Sequence, residues 1–130
     1  QEYGGFHDTC LVKLEYTTGS YVDEKGGMAN GTPEEKELSM TFHSQWTKRP
    51  LELCFGGVRK LCIAGWQENY FCEILDCCLR FYTDLIPGRD APLIVWADSA
   101  SFSPKNVGRQ LIEEPITSYV IAETLKWRYL

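Results

Sequence analysis

The sequence lacks long hydrophobic runs and has little positive charge. No apolar stretch approaches the roughly 20 residues that a membrane-spanning helix needs. The chain has 13 Lys and Arg against 18 Asp and Glu, which gives a net charge of −5. Without a basic surface it attracts neither the phosphates of nucleic acids nor an anionic bilayer. We therefore expect neither nucleic acid nor a membrane as a partner.

The common catalytic motifs are missing as well. G-x-S-x-G, HExxH, the P-loop and GxGxxG do not occur, so we predict no catalytic residues, no cofactor and no enzymatic activity. One alternative is a secreted hydrolase such as a ribonuclease, with His7 and His43 as acid and base. Another is a glycoside hydrolase that uses the acidic pairs at 34–35 or 113–114, although such acids must face each other across a cleft.

The sequence does contain enough apolar material for one core. Its 130 residues are 44% hydrophobic and 13% aromatic, the size and composition of a single globular domain. Residues 1–130 are therefore predicted to form one domain. The chain starts at Gln1 rather than Met and shows no charged-then-apolar leader, which predicts a mature secreted protein whose signal peptide has been removed.

Six cysteines are the most informative feature of the composition. Zinc sites usually contain C-x-x-C pairs, which do not occur here, and a catalytic thiol needs a neighbouring base and positive surroundings. We therefore predict no metal site and three disulfide bonds, which imply an oxidising compartment. The spacing leaves the pairing open. The predicted bridging residues are Cys10, Cys54, Cys62, Cys72, Cys77 and Cys78.

A glycosylation motif also favours secretion. Asn30, Gly31 and Thr32 form an N-x-T sequon, the acceptor pattern of surface loops in secreted proteins. We predict Asn30 as the glycosylation site and an extracellular location for the protein.

Alternation of apolar and polar residues predicts several strands. The segment CLVKLEYTT at 10–18 and the C-terminal segment at 116–130 both alternate. APLIVWA at 91–97 is a short apolar strand candidate. LELCFGGVRKLCIAGW at 51–66 is predicted to form two extended pieces joined by a turn at its Gly-Gly pair.

The segment TPEEKELSMTFHSQW at 32–46 carries the strongest helix signal. It opens with a T-x-x-E capping box and a proline at the first helical position. Leu38, Phe42 and Trp46 recur every four residues, as on one face of a helix. Leu38, Met40 and Phe42 also alternate as in a strand, but we predict a helix.

The cysteine-rich segment YFCEILDCCLRFY at 70–82 fits both a helical stripe and a strand face. A short helical turn is expected at 108–114. The order of a strand, a helix and further strands indicates an α+β domain with an antiparallel sheet.

Exposed aromatic residues are the best functional lead. Trp, Tyr and Arg frequently anchor protein interfaces, although such rings more often fill a core. Loops at 18–31 and 97–110 are the expected contact regions, since loops on a rigid frame often carry binding function. We expect the protein to be a monomer. The predicted interaction residues are Trp96, Trp127, Arg128 and Tyr129.

Two segments resemble a known family. YFCEILDCCLRFYTDLIP at 70–87 resembles a cysteine-bearing strand that runs through an aromatic and basic patch to a proline. KWRYL at 126–130 is similar to a Trp-Arg-apolar-Arg signature, in which Trp127 and Arg128 match and Leu130 stands in place of the second Arg. Both features resemble the Leptosphaeria avirulence-suppressing (LARS) effector family.

This resemblance implies a four-stranded antiparallel sheet with one or two packed helices, stapled by disulfides, and on that basis residues 70–82 are assigned to a strand. It also implies a non-enzymatic virulence effector of a plant-pathogenic fungus. Such a protein binds a host plant protein or immune receptor, or masks recognition of another effector. A secreted toxin or inhibitor module is the remaining alternative.

Overall fold

The structure is a computed structural model that describes residues 6–64, 72–88, 90–105 and 117–130. Eight strands occur within these ranges. No helical segment there has the length and apolar character needed to cross a bilayer. The strands are β1 (Thr9–Thr17), β2 (Tyr21–Val22), β3 (Met28–Ala29), β4 (Glu37–Ser44), β5 (Leu51–Cys62), β6 (Cys78–Tyr82), β7 (Leu93–Ala97) and β8 (Tyr119–Tyr129).

The α+β prediction is wrong. Strands account for 52% of the described residues and helical residues for 6%, and none of the described helical segments reaches seven residues. In place of a four-stranded sheet with packed helices there is a six-stranded antiparallel sheet, with a separate two-stranded hairpin of β2 and β3. The molecule is therefore an all-β domain in its described part.

The large sheet joins two groups of three consecutive main-sheet strands. Its order is β1-β4-β5-β8-β7-β6, and every neighbouring pair is antiparallel. Strands β5 and β8 join the two groups and pair over almost their whole lengths. The two outermost strands of this order are β1 and β6.

The sheet is rolled rather than flat. Phe42 on β4 and Trp96 on β7 are three strand positions apart, a span of about 14 Å in a flat sheet. Their ring centroids nevertheless lie 5.5 Å apart. At the seam, Asp8 N donates to Ile74 O at 3.0 Å and Ile74 N donates to Thr9 O at 2.7 Å. This bridge brings the β1 edge to the segment that leads into β6 and gives the sheet a barrel-like form.

Two hydrophobic clusters stabilise the rolled sheet. The larger lies inside the roll, where side chains from β4, β5, β7 and β8 meet Ile74. The smaller covers the opposite face of β6, β7 and β8 beneath Phe102. Both faces of β7 are therefore buried, which explains why all five of its residues are apolar and buried. The larger cluster contains Leu38, Met40, Phe42, Leu51, Leu53, Phe55, Val58, Ile74, Ile94, Trp96, Val120 and Ala122.

The predicted helix at 32–46 does not form. Its capping box makes only a short 3-10 turn at Pro33–Glu35, in which Thr32 makes no side-chain capping bond. The chain then enters β4, whose Leu38, Met40 and Phe42 are all buried. Alternation therefore outweighs the four-residue spacing, because a strand places all three side chains in the core at once.

The predicted turn in residues 51–66 is also absent. Residues Leu51–Cys62 form one continuous strand, β5. Gly57 adopts a φ of +62°, and the pairing with β8 shifts register between Val58 and Lys60. The Gly-Gly pair thus creates a bulge that bends the strand, since only glycine adopts such a conformation without strain.

The strand assigned to residues 70–82 is correct only for its last part, β6. Residues 72–77 are irregular apart from the bridge at Ile74, and residues 70–71 lie outside the described residues. The strands predicted at 10–18, 91–97 and 116–130 are confirmed as β1, β7 and β8. The helical turn predicted at 108–114 lies outside the described residues.

Replacing Phe42 by Ala tests the packing inside the roll. We expect the free energy of unfolding to fall by about 3–5 kcal/mol, since a fully buried ring is lost and a cavity remains. Phe81→Ala is the matched control, because that ring is 70% exposed; it should change stability by less than about 0.5 kcal/mol. Urea unfolding measures both, and equal losses would contradict the assigned core.

Candidate functional site

Trp96 lies in the core and not on the surface. Only 1% of it is exposed, and its ring packs against Phe42 and Phe6 at centroid distances of 5.5 and 6.1 Å. Its predicted role as an interaction residue is therefore wrong for this fold, since a partner cannot reach the indole. The ring instead fills the core, as the alternative interpretation of the aromatic residues predicted.

The other three predicted interaction residues lie together at the end of β8. Trp127 is 61% exposed, and its ring meets the edge of Tyr129 at a centroid distance of 5.6 Å. The Arg49 guanidinium lies 4.8 Å from the centre of the Tyr129 ring, a cation–π contact. We call Arg49, Trp127 and Tyr129 the terminal aromatic cluster.

The strand geometry explains why these rings gather there. In the pairing of β5 with β8, Trp127 is opposite Leu53 and Tyr129 is opposite Leu51, so their side chains share the face of those core residues. Leu130 N donates to Pro50 O at 2.9 Å, which holds the chain end against the start of β5. The cluster is thus a continuation of the core to the surface.

The C-terminal half of β8 borders on β5 alone in the described part of the chain. Strand β5 pairs with β8 from Tyr119 to Tyr129, whereas β7 pairs only with residues 119–122. Strand β7 begins at Leu93, and the preceding Pro92 is exposed; proline has no N–H to extend the ladder. Residues 123–128 therefore present a strand edge with no pairing strand among the described residues.

On the outer face, a cleft of about 410 Å³ lies across β1, β4, β5 and β8. Glu52 is at its centre and accepts a hydrogen bond from Arg128 Nε at 2.7 Å. Cys54 Sγ donates to the same carboxylate at 3.3 Å. Lys126 also lines the cleft, so two cations border one end of it.

The electrostatics of this cleft favour binding of polar groups over thiol chemistry. The hydrogen bond from Arg128 is the largest cause that lowers the pKa of Glu52, so the carboxylate stays ionised. Burial, followed by the bond to Glu52, raises the pKa of the Cys54 thiol. A thiol held in its protonated form is a poor nucleophile.

The two histidines do not combine in one cleft. His7 is exposed and contacts the Asp8 carboxylate at 2.9 Å. His43 lines a different, smaller cleft of about 200 Å³, whose described lining includes Asp8 and Glu73 but neither Arg nor Lys. A ribonuclease site needs cationic groups for the phosphate, so this geometry gives the ribonuclease alternative no support. Of the two acidic pairs, 34–35 is exposed in the 3-10 turn, and 113–114 lies outside the described residues.

The loop predicted at 18–31 contains the β2–β3 hairpin. Asp23 Oδ1 accepts hydrogen bonds from the backbone N–H groups of Lys25 and Gly27 at 2.9 and 2.7 Å, which fixes the turn. Asn30 is exposed directly after β3, a position accessible to glycosylation. The second predicted contact loop, 97–110, is described only as far as residue 105.

The structure contains none of the three predicted disulfide bonds, and the six cysteines are distributed over the sheet and the segment that leads into β6. Cys54 lies in the outer cleft, Cys62 ends β5, Cys77 is next to the core and Cys78 begins β6. Burial raises the pKa of Cys77 to about 12, the mark of a structural thiol. Among the described residues, no group of three or more His, Cys, Asp or Glu is arranged to hold a metal ion.

One titratable residue of the site, Asp98, was not predicted from the sequence. It follows β7 directly and accepts a hydrogen bond from Ser118 N at 2.9 Å. Burial raises its pKa to about 6. A lone Asp after an apolar strand carries no signal of this burial, which arises only in the tertiary structure.

Comparisons with known proteins add no relative. No family model, no curated protein and no solved structure matches this chain. The candidate site therefore depends on the geometry alone.

Asp98 makes stability depend on pH. Its folded pKa of about 6 exceeds the ordinary value of about 4. The folded protein therefore holds the proton more tightly, and this contribution is complete below pH 4 and lost as the pH rises through 6. Allowing for partial exposure, we expect a loss of about 1–2 kcal/mol between pH 4 and 7.

Asp98→Asn provides the comparison, because its amide oxygen still accepts the Ser118 bond without titrating. Urea unfolding of both proteins at pH 4 and 7 measures the difference. If the two proteins lose the same stability across this range, Asp98 is not the group responsible.

Proposed function

We propose that the protein binds an extended segment of another protein along the open edge of β8. The observation that carries this proposal is the edge at residues 123–128, which pair with β5 on one side and with no described strand on the other, with the exposed ring of Trp127 beside it. A partner segment would pair with β8 on the same side as β7, beyond the point where β7 begins at Leu93. The terminal aromatic cluster would form the main side-chain contact.

Backbone and side chains supply different parts of such binding. An open strand edge presents N–H and C=O groups that pair with any extended chain. Specificity then comes from alternate side chains, and Trp, Tyr and Arg are the residues that most often dominate interface energies. The rings of Trp127 and Tyr129 already stack edge to face, so little conformational entropy is lost when they bind.

The two faces of β8 select the chemistry of the partner. Trp127 points to the core side, whereas Lys126 and Arg128 line the outer cleft. An added strand alternates in the same way. The preferred segment is therefore one whose apolar residues meet Trp127 and whose acidic residues meet the two cations.

The biological role we propose is that of a secreted, non-enzymatic virulence effector of a plant-pathogenic fungus. Its partner would then be a host plant protein or an immune receptor. Support comes from the resemblance of KWRYL to a signature of the LARS effectors. Trp127 and Arg128, the two residues that match this signature, both lie at the exposed end of β8. The α+β fold that this resemblance implied was wrong, so its support is limited to those local residues.

A peptide-display experiment tests the strand-binding proposal. Selection of random ten-residue peptides on the purified protein should enrich sequences with alternating apolar and acidic residues. Trp127→Ala should weaken their binding by about tenfold or more, as expected for a central interface residue. N-methylation of alternate peptide amides should abolish binding, because it removes the N–H donors. Phe81→Ala, an exposed ring on β6, is the matched control and should bind normally.

Binding that survives both Trp127→Ala and N-methylation would refute the assigned surface. The effector role has its own test: purified protein infiltrated into plant lines with different resistance genes should cause a cell-death response in some lines only. Equal responses in all lines would count against that role and leave the strand-binding result unaffected.

A further inference from the structure

Cys10 and Cys72 meet at the seam of the rolled sheet. Cys10 follows Thr9 on β1, and Cys72 precedes Ile74 by two residues. The Thr9–Ile74 bridge, with its two backbone hydrogen bonds of 3.0 and 2.7 Å, holds these two segments side by side. Both cysteines line the same cleft of about 200 Å³.

The two thiols are neighbours in this cleft and influence each other. Burial is the largest cause that raises the pKa of the Cys10 thiol, and the interaction with Cys72 is the next. Cys72 is exposed and Cys10 is partly exposed, so a dissolved oxidant can reach the pair. Cysteines far apart in sequence that come together in this way are candidates for a disulfide, provided that their Cα atoms approach within about 7 Å.

Two of the remaining cysteines lie on strands that do not adjoin. Cys62 on β5 is opposite Tyr119 on β8, which is opposite Ala97 on β7, which is opposite Cys78 on β6. Strands β8 and β7 therefore lie between Cys62 and Cys78.

Cys54 is offset from Cys10 along the strands. It pairs with Ser39, four residues along β4 from the His43 that pairs with Cys10. This offset is about 13 Å along the strand, which exceeds the reach of a disulfide between Cys54 and Cys10.

We propose that Cys10 and Cys72 form a disulfide that closes the barrel seam, while Cys54, Cys62, Cys77 and Cys78 stay as thiols. A small-molecule disulfide such as oxidised glutathione is the oxidant. One protein thiolate attacks it and expels a small thiol, and the second protein thiolate attacks the mixed disulfide and expels the other. The two cysteines lose two protons and two electrons in total, and the oxidant becomes two thiols.

The proposal replaces the three predicted disulfides by one, and this bond closes the barrel. It covalently joins β1 to the segment before β6, where the bridge otherwise supplies two backbone hydrogen bonds. It also retains Ile74, which is buried in the main cluster. Because the closed loop is long, its effect on the unfolded chain is large.

Peptide mapping tests the pairing. The protein is oxidised with glutathione disulfide, denatured, alkylated with iodoacetamide and cut after glutamate. Cleavage after Glu2, Glu15, Glu68 and Glu73 leaves Cys10 and Cys72 each as the sole cysteine of its peptide. We expect peptides 3–15 and 69–73 to be linked, reduction to separate them, and four other cysteines to be alkylated. Six alkylated cysteines, or a link to any other peptide, would overturn the proposal.

Thermal unfolding provides a second measurement. Oxidation should raise Tm by on the order of 10 °C in the native sequence. Cys72→Ser should abolish this rise, and its exposed position makes the substitution easy to accommodate. Cys54→Ser, in the outer cleft, is the control and should keep the full rise. An oxidation-dependent Tm that persists in Cys72→Ser would show that another pair is responsible. Neither experiment involves the edge of β8, so the outcome is independent of strand binding.

Discussion

The contact between Phe42 and Trp96 is the interaction on which the architecture depends. These rings belong to strands three positions apart, yet their centroids lie 5.5 Å from each other. The six-stranded sheet must therefore roll until its two halves enclose one core. The positive φ of Gly57 and the register shift that follows between Val58 and Lys60 let the longest strand bend with it. Phe6 adds a third ring to the group at 4.9 Å from Phe42, which draws the start of β1 to the seam.

Unequal strand lengths within the rolled sheet create the candidate binding surface. Strand β8 has 11 residues and its partner β7 has five, so one edge of β8 runs on beyond its neighbour. The terminal aromatic cluster lies at this overhang because the core residues Leu51 and Leu53 pair opposite Tyr129 and Trp127. The same contacts that stabilise the fold therefore keep an aromatic surface ordered at its end, which lowers the entropic cost of binding a partner.

Local signals were reliable where they agreed with burial and failed where burial opposed them. The alternation in β1 and β8 predicted strands correctly, because one side chain in two had to face the core. The capping box at 32–35 produced only a single 3-10 turn, since the alternating Leu38, Met40 and Phe42 gain more by entering the core as a strand. Trp127 was predicted as an interaction residue from its residue type and from the KWRYL resemblance, whereas Asp98 carries no sequence signal and its pKa is raised by burial in the folded protein.

The sequence by itself determined the period of each strand, the amount of apolar material and the composition of the surface, because these follow from the order of side chains along one chain. Only the tertiary structure decided which rings are buried and which thiols meet. Trp96 and Trp127 are alike as sequence features, but Trp96 is buried in the core and Trp127 is exposed at an overhanging strand end. Cys10 and Cys72 come together only when the sheet closes, since contact between distant residues depends on the curvature of the whole sheet and not on any local pattern.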